Sequence, residues 1–217
     1  MERVICLVIG YAFGLFQTGY FYGKTKGIDI RQYGSGNSGT TNTLRVLGPK
    51  AGLIVLLGDI CKCILAIGIV KMIFAASHPH MVYLLCLYTG AGAILGHNYP
   101  FYMGFKGGKG IAATAGMVIA FHPWFLLVGL IIFFSTFFIT HYVSLGSLLV
   151  YVGLMIEMVI LGENGFFKDM SRANLLEMYI LFALLAALAF WKHRTNIARL
   201  IHGEERKTYL TKKNKAD

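Results

Sequence analysis

Residues 51–76 read AGLIVLLGDICKCILAIGIVKMIFAA, a run in which only Asp59, Lys62 and Lys71 are charged. About 20 apolar residues in an α-helix span the hydrocarbon core of a bilayer, so this stretch predicts a transmembrane helix. Of the chain's 217 residues, 56% are hydrophobic and 14% are charged. This composition excludes an ordinary soluble domain, a disordered chain and a disulfide scaffold.

Further apolar blocks lie on both sides of this stretch. They cover residues 4–22, 81–96, 111–121, 124–140, 142–161 and 175–191. Because backbone polar groups must be satisfied internally within lipid, we predict an all-α integral membrane protein, a polytopic bundle of about seven transmembrane helices. We expect a single domain over residues 1–217 that ends in a basic tail, 205–217. Block 111–121 is too short for a full span, so a five-crossing bundle is the alternative.

Most of the lysines and arginines lie in three polar stretches, 23–50, 97–110 and 192–217. The positive-inside rule makes these stretches cytoplasmic, and it predicts an N-terminus outside the cell and a C-terminus in the cytoplasm. We therefore attribute the net charge of +10 to loops that face the cytoplasm and to contacts with anionic phosphates. We expect no nucleic-acid partner.

The first polar stretch contains GSGNSGTTNTLR, residues 34–45. Its glycines let the backbone approach a ligand, its hydroxyls and amides donate hydrogen bonds, and its arginine is a forked cation. The spacing also matches G-x-G-x-x-G, but no predicted strand precedes it, so a dinucleotide site is a weak interpretation. The candidate residues for an anion site here are Ser35, Asn37, Thr41, Asn42 and Arg45.

The second polar stretch is GHNYPFYMGFKGGKG, residues 96–110. We interpret its Lys-Gly-Gly-Lys-Gly core as a backbone nest for an anion. A Walker A loop is excluded because Gly110 stands where Ser or Thr should bind magnesium. The alternative is a plain glycine turn with two lysines. The candidate binding residues are His97, Lys106, Gly107, Gly108, Lys109 and Gly110.

The third polar stretch, KHRTNIARLIHGEE, residues 192–205, follows the last apolar block directly. At helical spacing, His193, Asn196 and Arg199 fall along one stripe, with His202 next in line. They predict an imidazole, an amide and a guanidinium that face one site at the membrane surface. The alternative is a basic helix that contacts anionic headgroups, which is our interpretation for Lys212, Lys213 and Lys215.

Polar residues inside the apolar blocks have structural interpretations as well. Asp59 and Lys62 are three residues apart and are expected to pair on one helical face, either for function or for helix packing. Gly92 and Gly96 have the small-xxx-small spacing of close helix contacts. The histidines on the predicted turns lack carboxylate or cysteine neighbours, so we expect no metal site.

Together the three stretches resemble the bacterial acyl-phosphate:glycerol-3-phosphate acyltransferases, the PlsY family. Its members show G-S-G-N-x-G-x-T-N-x-x-R, then G-H-x-[FY]-P…F-K-G-G-K-G-x-A, then H-x-x-N-I-x-R-L…G-x-E, and this chain carries all three patterns in that order. The departures are small: Lys192 stands where the family often has arginine, and Glu204 occupies a variable position.

The resemblance implies transfer of a fatty acyl group from acyl phosphate to the sn-1 hydroxyl of glycerol 3-phosphate. The products are lysophosphatidic acid and phosphate, in the first step of phospholipid synthesis. It further implies a bacterial cell membrane protein whose active site faces the cytoplasm among membrane lipids, with no cofactor and no obligate protein partner. The strongest alternative from another class is a small transporter or channel for phosphate-bearing anions.

The resemblance also assigns roles to residues. It marks Ser35, Arg45, His193 and Asn196 as catalytic, the loop from Lys106 to Gly110 as phosphate-binding, and Glu205 as more structural. An acyl phosphate is already activated, so we expect Ser35 to donate a hydrogen bond rather than to form an acyl-enzyme. For the general base the sequence leaves two candidates, His193 and the donor's own phosphate.

Overall fold

The computed structural model describes residues 1–209, so the predicted headgroup contacts of Lys212, Lys213 and Lys215 lie outside the described residues. Within that range the regular secondary structure is entirely helical, as predicted. The α-helices are α1 (Glu2–Gly14), α2 (Thr18–Thr25), α3 (Thr40–Leu47), α4 (Pro49–Phe74), α5 (Val82–Asn98), α6 (Ile111–Phe121), α7 (Pro123–Thr140), α8 (Val143–Glu163), α9 (Arg172–Lys192) and α10 (Arg194–Ile201).

Two ends of the bundle are defined by contacts between distant parts of the chain. At the far end, Arg3 pairs with Glu177 near the start of α9 at 2.5 Å. At the other end, which we call the site end, Arg45 of α3 reaches Thr208 after α10. The two ends of the described chain therefore lie at opposite ends of the bundle.

Within residues 1–209, six segments are long and apolar enough to span a membrane: 2–25, 49–74, 79–103, 123–140, 143–163 and 172–192. Helix α6 is apolar but shorter, since its eleven residues extend about 16 Å, roughly half the thickness of the hydrocarbon core. Most of its residues are buried against α4, α5 and α7. This protein environment surrounds a helix too short to span lipid alone.

The first apolar block is not one helix. The sequence predicts a continuous helix over 4–22, but the structure breaks it at residues 15–17 into α1 and α2. The carbonyls freed at the break are satisfied by other side chains: Lys62 Nζ donates to Phe16 O at 2.7 Å and to Gly14 O at 3.4 Å. The break is therefore set by a tertiary contact from α4, which local sequence does not show.

Helices α1 and α5 approach very closely through glycines on both sides. A Cβ atom added at Gly92 would lie 2.1 Å from Leu7 O, and one added at Gly96 would lie 2.3 Å from Tyr11 O. On the facing helix, Gly10 packs equally tightly against Thr89. The close helix contact predicted from the spacing of Gly92 and Gly96 is confirmed.

The predicted pair between Asp59 and Lys62 is also present. Their side chains lie 2.8 Å apart and are only 1% and 5% exposed. Thr18 of α2 donates to Asp59 Oδ1 at 2.9 Å, and His97 Nδ1 at the end of α5 lies 2.9 Å from Lys62 Nζ. This buried cluster therefore joins three membrane segments at the site end.

We expect Lys62→Met to destabilise the protein strongly, because the substitution leaves a buried carboxylate without its counter-charge and removes the Lys62 hydrogen bonds to Phe16 O and Gly14 O at the break. Loss of one partner of a buried pair costs about 3–5 kcal/mol, which unfolding in detergent micelles would measure. The matched control is Lys71→Met on the same helix, which removes one hydrogen bond to Ala120 O. An equal loss in both variants would contradict the central role given to Lys62.

Candidate active site

A cavity of about 840 Å³ extends from the site end into the bundle and has two chemically distinct parts. Its polar part includes Ser35, Asn37, Thr41, Asn42, Arg45, His97, Lys109, Gly110, His193, Asn196, Arg199 and Glu205. Its apolar part includes Leu56, Ile60, Val118, Leu126, Leu130, Phe133, Phe134, Phe137 and Leu154. Residues from all three predicted stretches therefore meet at one cavity.

The first glycine-rich loop is fastened by Asn42. Its side-chain oxygen accepts from Ser35 N at 2.8 Å and from Ser35 Oγ at 3.1 Å, while its amide nitrogen donates to Ile30 O and Tyr33 O. Gly34 has φ +59°, and a Cβ there would lie 2.3 Å from Asn42 Oδ1. Asn42 thus shapes the loop, and its hydrogen-bonding groups are already engaged.

Arg45 stands on α3 as a cation without a directly bonded carboxylate among the described residues. Its Nη2 donates to Thr208 Oγ1 at 2.7 Å and to Arg206 O at 3.2 Å. Burial lowers the pKa of Arg45, nearby Arg206 and Arg199 lower it further, and Glu205 opposes them. A half-buried cation with neutral hydrogen-bond partners and like-charged neighbours favours an anion in the cavity.

The second glycine-rich loop contributes less to the cavity than the sequence suggests. Gly107 N donates to Asn98 O and Gly108 N to His97 O, so these two amides cap α5 and do not face a ligand. A Cβ at Gly108 would lie 2.0 Å from His97 Nε2. Lys106 is exposed and is absent from the cavity wall. The loop brings Lys109 and Gly110 to the cavity.

Lys109 is held by a neutral partner, as Arg45 is. Its Nζ donates to Asn196 Oδ1 in a short hydrogen bond. Burial lowers the pKa of Lys109 to about 8, with Arg199 and Arg45 contributing and Glu205 opposing. The ammonium group is therefore poised to gain an anionic partner near neutral pH.

Glu205 organises the third stretch. Its Oε1 accepts from Ser144 at 2.8 Å and from Asn196 at 2.7 Å, and its Oε2 accepts from Arg199 at 2.9 Å. Burial raises the pKa of Glu205, but these hydrogen bonds outweigh it and leave the pKa lowered, so the carboxylate is ionised. The structural role expected for Glu205 agrees with these contacts.

The last apolar block does not continue into the third stretch as one helix, because the chain breaks at His193 and α10 begins at Arg194. His202, the next member of the predicted stripe, is exposed, and its Nδ1 contacts Ala198 O. Asn196 and Arg199 do face one site, since both bind the same carboxylate.

The tautomer of His193 follows from its contacts. Nδ1 lies 2.8 Å from Ala189 O, and a carbonyl can only accept, so Nδ1 carries the hydrogen and Nε2 keeps its lone pair. Burial, followed by the charge of Lys109, lowers the pKa of His193 to about 4. The ring is therefore neutral at neutral pH, and Nε2 can accept a proton.

Two helix N-termini open into the cavity. Residues 39–41 begin α3, whose last turn carries Arg45, and residues 110–112 begin α6, directly after Lys109. Helix N-termini bind anions through unpaired N–H groups and the helix dipole. The polar part of the cavity can therefore hold two phosphate-sized anions.

Several cavity or loop residues were not among those predicted. Thr208 and Ser144 hold predicted site residues from beyond the three motifs, and Gln17 accepts from Ser38 Oγ at 3.3 Å beneath the first loop. Their contacts are long-range, so no local pattern reveals them. Among the described residues, no group of three or more His, Cys, Asp or Glu side chains is arranged to hold a metal ion.

Fold and site together define an integral membrane protein whose cavity is cationic at one end and apolar along the other. Residues 4–203 match the family model described as glycerol-3-phosphate acyltransferase. The chain therefore belongs to this family, the PlsY family of integral membrane acyltransferases.

Similar proteins include the glycerol-3-phosphate acyltransferase of Bacillus cytotoxicus, 37% identical over 97% of this chain and 98% of the relative. The glycerol-3-phosphate acyltransferase 2 of Lactobacillus acidophilus is 42% identical over 91% of this chain and 86% of the relative. The crystal structure of PlsY in its glycerol 3-phosphate form has a TM-score of 0.80 and 32% identity, with 96% of each chain covered. Its lysophosphatidic acid form has a TM-score of 0.78 and 31% identity, with 97% of each chain covered.

We expect sulfate, whose charge is constant between pH 7 and 9, to bind about tenfold more weakly at pH 9 than at pH 7, because Lys109 loses its proton through a pKa of about 8. Calorimetry on the purified protein would measure this. In Lys109→Arg the cation stays charged, and the decrease should disappear. The same decrease in both proteins would show that another group titrates.

Proposed function

We propose that this protein transfers a fatty acyl group from acyl phosphate to the sn-1 hydroxyl of glycerol 3-phosphate, giving lysophosphatidic acid and phosphate. The observation that carries the proposal is the two-part cavity, with two helix N-termini, Arg45 and Lys109 at the head of an apolar channel. The family match supports it, as do the similar structures described as glycerol 3-phosphate and lysophosphatidic acid forms. We infer from the lysine and arginine excess that the site end faces the cytoplasm of a bacterial cell.

Two phosphates suit the polar part because each finds both a helix N-terminus and a cation. One anion would lie at the start of α3 with Arg45, whose planar fork matches phosphate oxygens. The other would lie at the start of α6 with Lys109. Both helix starts line one cavity, so a donor and an acceptor that each carry a phosphate can be held side by side.

The apolar part suits an acyl chain. Its walls come from α4, α6, α7 and α8, and they bear leucine, isoleucine, valine and phenylalanine side chains. Phe134, on the cavity wall, is 44% exposed. In this proposal the acyl chain enters from lipid, a route that keeps the amphipathic donor and product out of water.

The chemistry needs no acyl-enzyme. The sn-1 oxygen attacks the acyl carbon, the bond from that carbon to the phosphate oxygen breaks, and phosphate leaves. The proton from the hydroxyl passes to His193 Nε2 or to the departing phosphate. Arg45 and Lys109 stabilise the charge that develops on the phosphates. Ser35 donates to Asn42, whose carbonyl cannot remove a proton, and this supports a positioning role for Ser35.

The test of the function is product formation by protein reconstituted in lipid vesicles with glycerol 3-phosphate, given either acyl phosphate or acyl-CoA. We expect lysophosphatidic acid and one equivalent of phosphate with acyl phosphate only. Arg45→Ala serves as the matched inactive protein, because it removes a site cation from the head of the cavity.

Turnover with acyl-CoA alone would keep the acyltransferase and overturn the donor. Folded protein that forms no product with either donor, yet carries glycerol 3-phosphate across the vesicle membrane, would instead establish the anion transporter. The two outcomes are read from the same vesicles.

If His193 is the general base, His193→Ala should lower kcat about 10²- to 10⁴-fold, with a smaller change in KM for glycerol 3-phosphate. The His193 pKa of about 4 predicts no loss of rate between pH 7 and 5 from this residue. His202→Ala is the matched control, because His202 is exposed and lies one helix away along the chain. An unchanged kcat and pH profile in His193→Ala would assign the proton to the donor's phosphate.

A further inference from the structure

The chain folds back over the cavity after α10. Residues 204–208, which we call the strap, run from the end of α10 to the turn between α7 and α8. Glu204 N donates to Arg199 O at 2.8 Å, and Thr208 N donates to His141 O at 2.9 Å. Glu205, Arg206 and Thr208 line the cavity. The strap is thus anchored at both ends and forms part of the cavity wall.

The strap holds Arg45 through two neutral acceptors. Thr208 Oγ1 lies 2.7 Å and Arg206 O lies 3.2 Å from the same guanidinium nitrogen, Nη2. A carboxylate at this position would also orient the arginine, but it would neutralise the charge that an incoming phosphate needs. Neutral acceptors fix the direction of the guanidinium and leave its charge available.

Thr208 is an unusual residue to find in the wall. It is 1% exposed although it lies seven residues after the end of α10. Its hydroxyl accepts a hydrogen bond from Arg45 and not from another residue of the strap. The backbone N–H of Thr208, not its hydroxyl, makes the anchor to His141. The hydroxyl can therefore be removed without cutting this anchor.

We propose that Thr208 is a positioning residue of the acyl transfer, which acts by aiming the Arg45 guanidinium at a substrate phosphate. The proposal rests on the proposed function and deepens it. The strap contributes Glu205, Arg206 and Thr208 to the wall of a cavity whose candidate phosphate cations are Arg45 and Lys109.

The test compares Thr208→Val, which keeps the shape and loses the acceptor, with Thr208→Ser, which keeps the hydroxyl. Loss of a hydrogen bond to a charged group predicts about a tenfold loss of kcat/KM in Thr208→Val. We expect most of that loss in KM for the phosphate substrate bound at Arg45. Thr208→Ser should stay within about twofold of the unsubstituted protein, and all should unfold at similar temperatures.

A double-mutant cycle separates positioning from structure. If Thr208 acts through Arg45, Thr208→Val should cost nothing further in an Arg45→Lys background, because the lysine no longer presents the fork that Thr208 aims. A full tenfold loss in that background would overturn the proposal. So would equal losses in the Val and Ser variants, or an unchanged kcat/KM in Thr208→Val.

Sulfate binding gives a second readout that does not depend on the reaction. Thr208→Val should bind sulfate several-fold more weakly, and Thr208→Ser should not. If Thr208→Val does not fold, Thr208→Ala puts the same question to the same measurements. Failure of the unsubstituted protein to use acyl phosphate would overturn the proposed function, whereas normal turnover with unaltered variants would overturn the role of Thr208 alone.

Discussion

The fold depends on satisfying one ammonium group inside the membrane region. Lys62 bonds Asp59 at 2.8 Å, donates to two carbonyls at the break between α1 and α2, and contacts His97. An unpaired charge in lipid costs several kcal/mol, and so does a backbone carbonyl without a hydrogen-bond donor. The ammonium group and the carbonyls at the break therefore stabilise one another. The break in the first span supplies acceptors for the cation, and the cation makes the break tolerable.

Both glycine-rich loops rest on this cluster. Gly108 packs against the His97 ring, and Gly19, beside the Asp59 partner Thr18, packs its α-carbon against Ser38 O of the first loop. Side chains at these glycines would push the loops away from the bundle. The glycines of the motifs therefore serve mainly to let the loops pack closely against neighbouring groups, such as the His97 ring at Gly108 and Asn42 Oδ1 at Gly34, and the anion is left to Arg45, Lys109 and two helix N-termini.

The sequence predicts the structural features that depend on residues close together in the chain. Apolar block length predicts the long helices, and the three-residue spacing of Asp59 and Lys62 predicts their pair, because helical geometry alone brings them together. The break at residues 15–17, the capping role of Gly107 and Gly108, and the contact of Thr208 with Arg45 were not predicted. The break and the Thr208 contact depend on partners far away in the chain, and the capping bonds join Gly107 and Gly108 to Asn98 and His97 within the second polar stretch. Periodicity and motif spacing encode neither kind of contact.

The charged groups of the site are distinguished by their hydrogen-bond partners. Its two candidate phosphate cations are held by neutral groups, Arg45 by a hydroxyl and Lys109 by the amide of Asn196. The nearby carboxylate, Glu205, bonds Asn196 and Arg199 instead, so it orients the site without neutralising either cation. The cost of leaving these cations short of counter-charge appears as their lowered pKa values. A bound phosphate would supply the missing counter-charge and raise both pKa values. Part of the binding free energy of the site therefore comes from relieving this electrostatic cost in the unliganded protein.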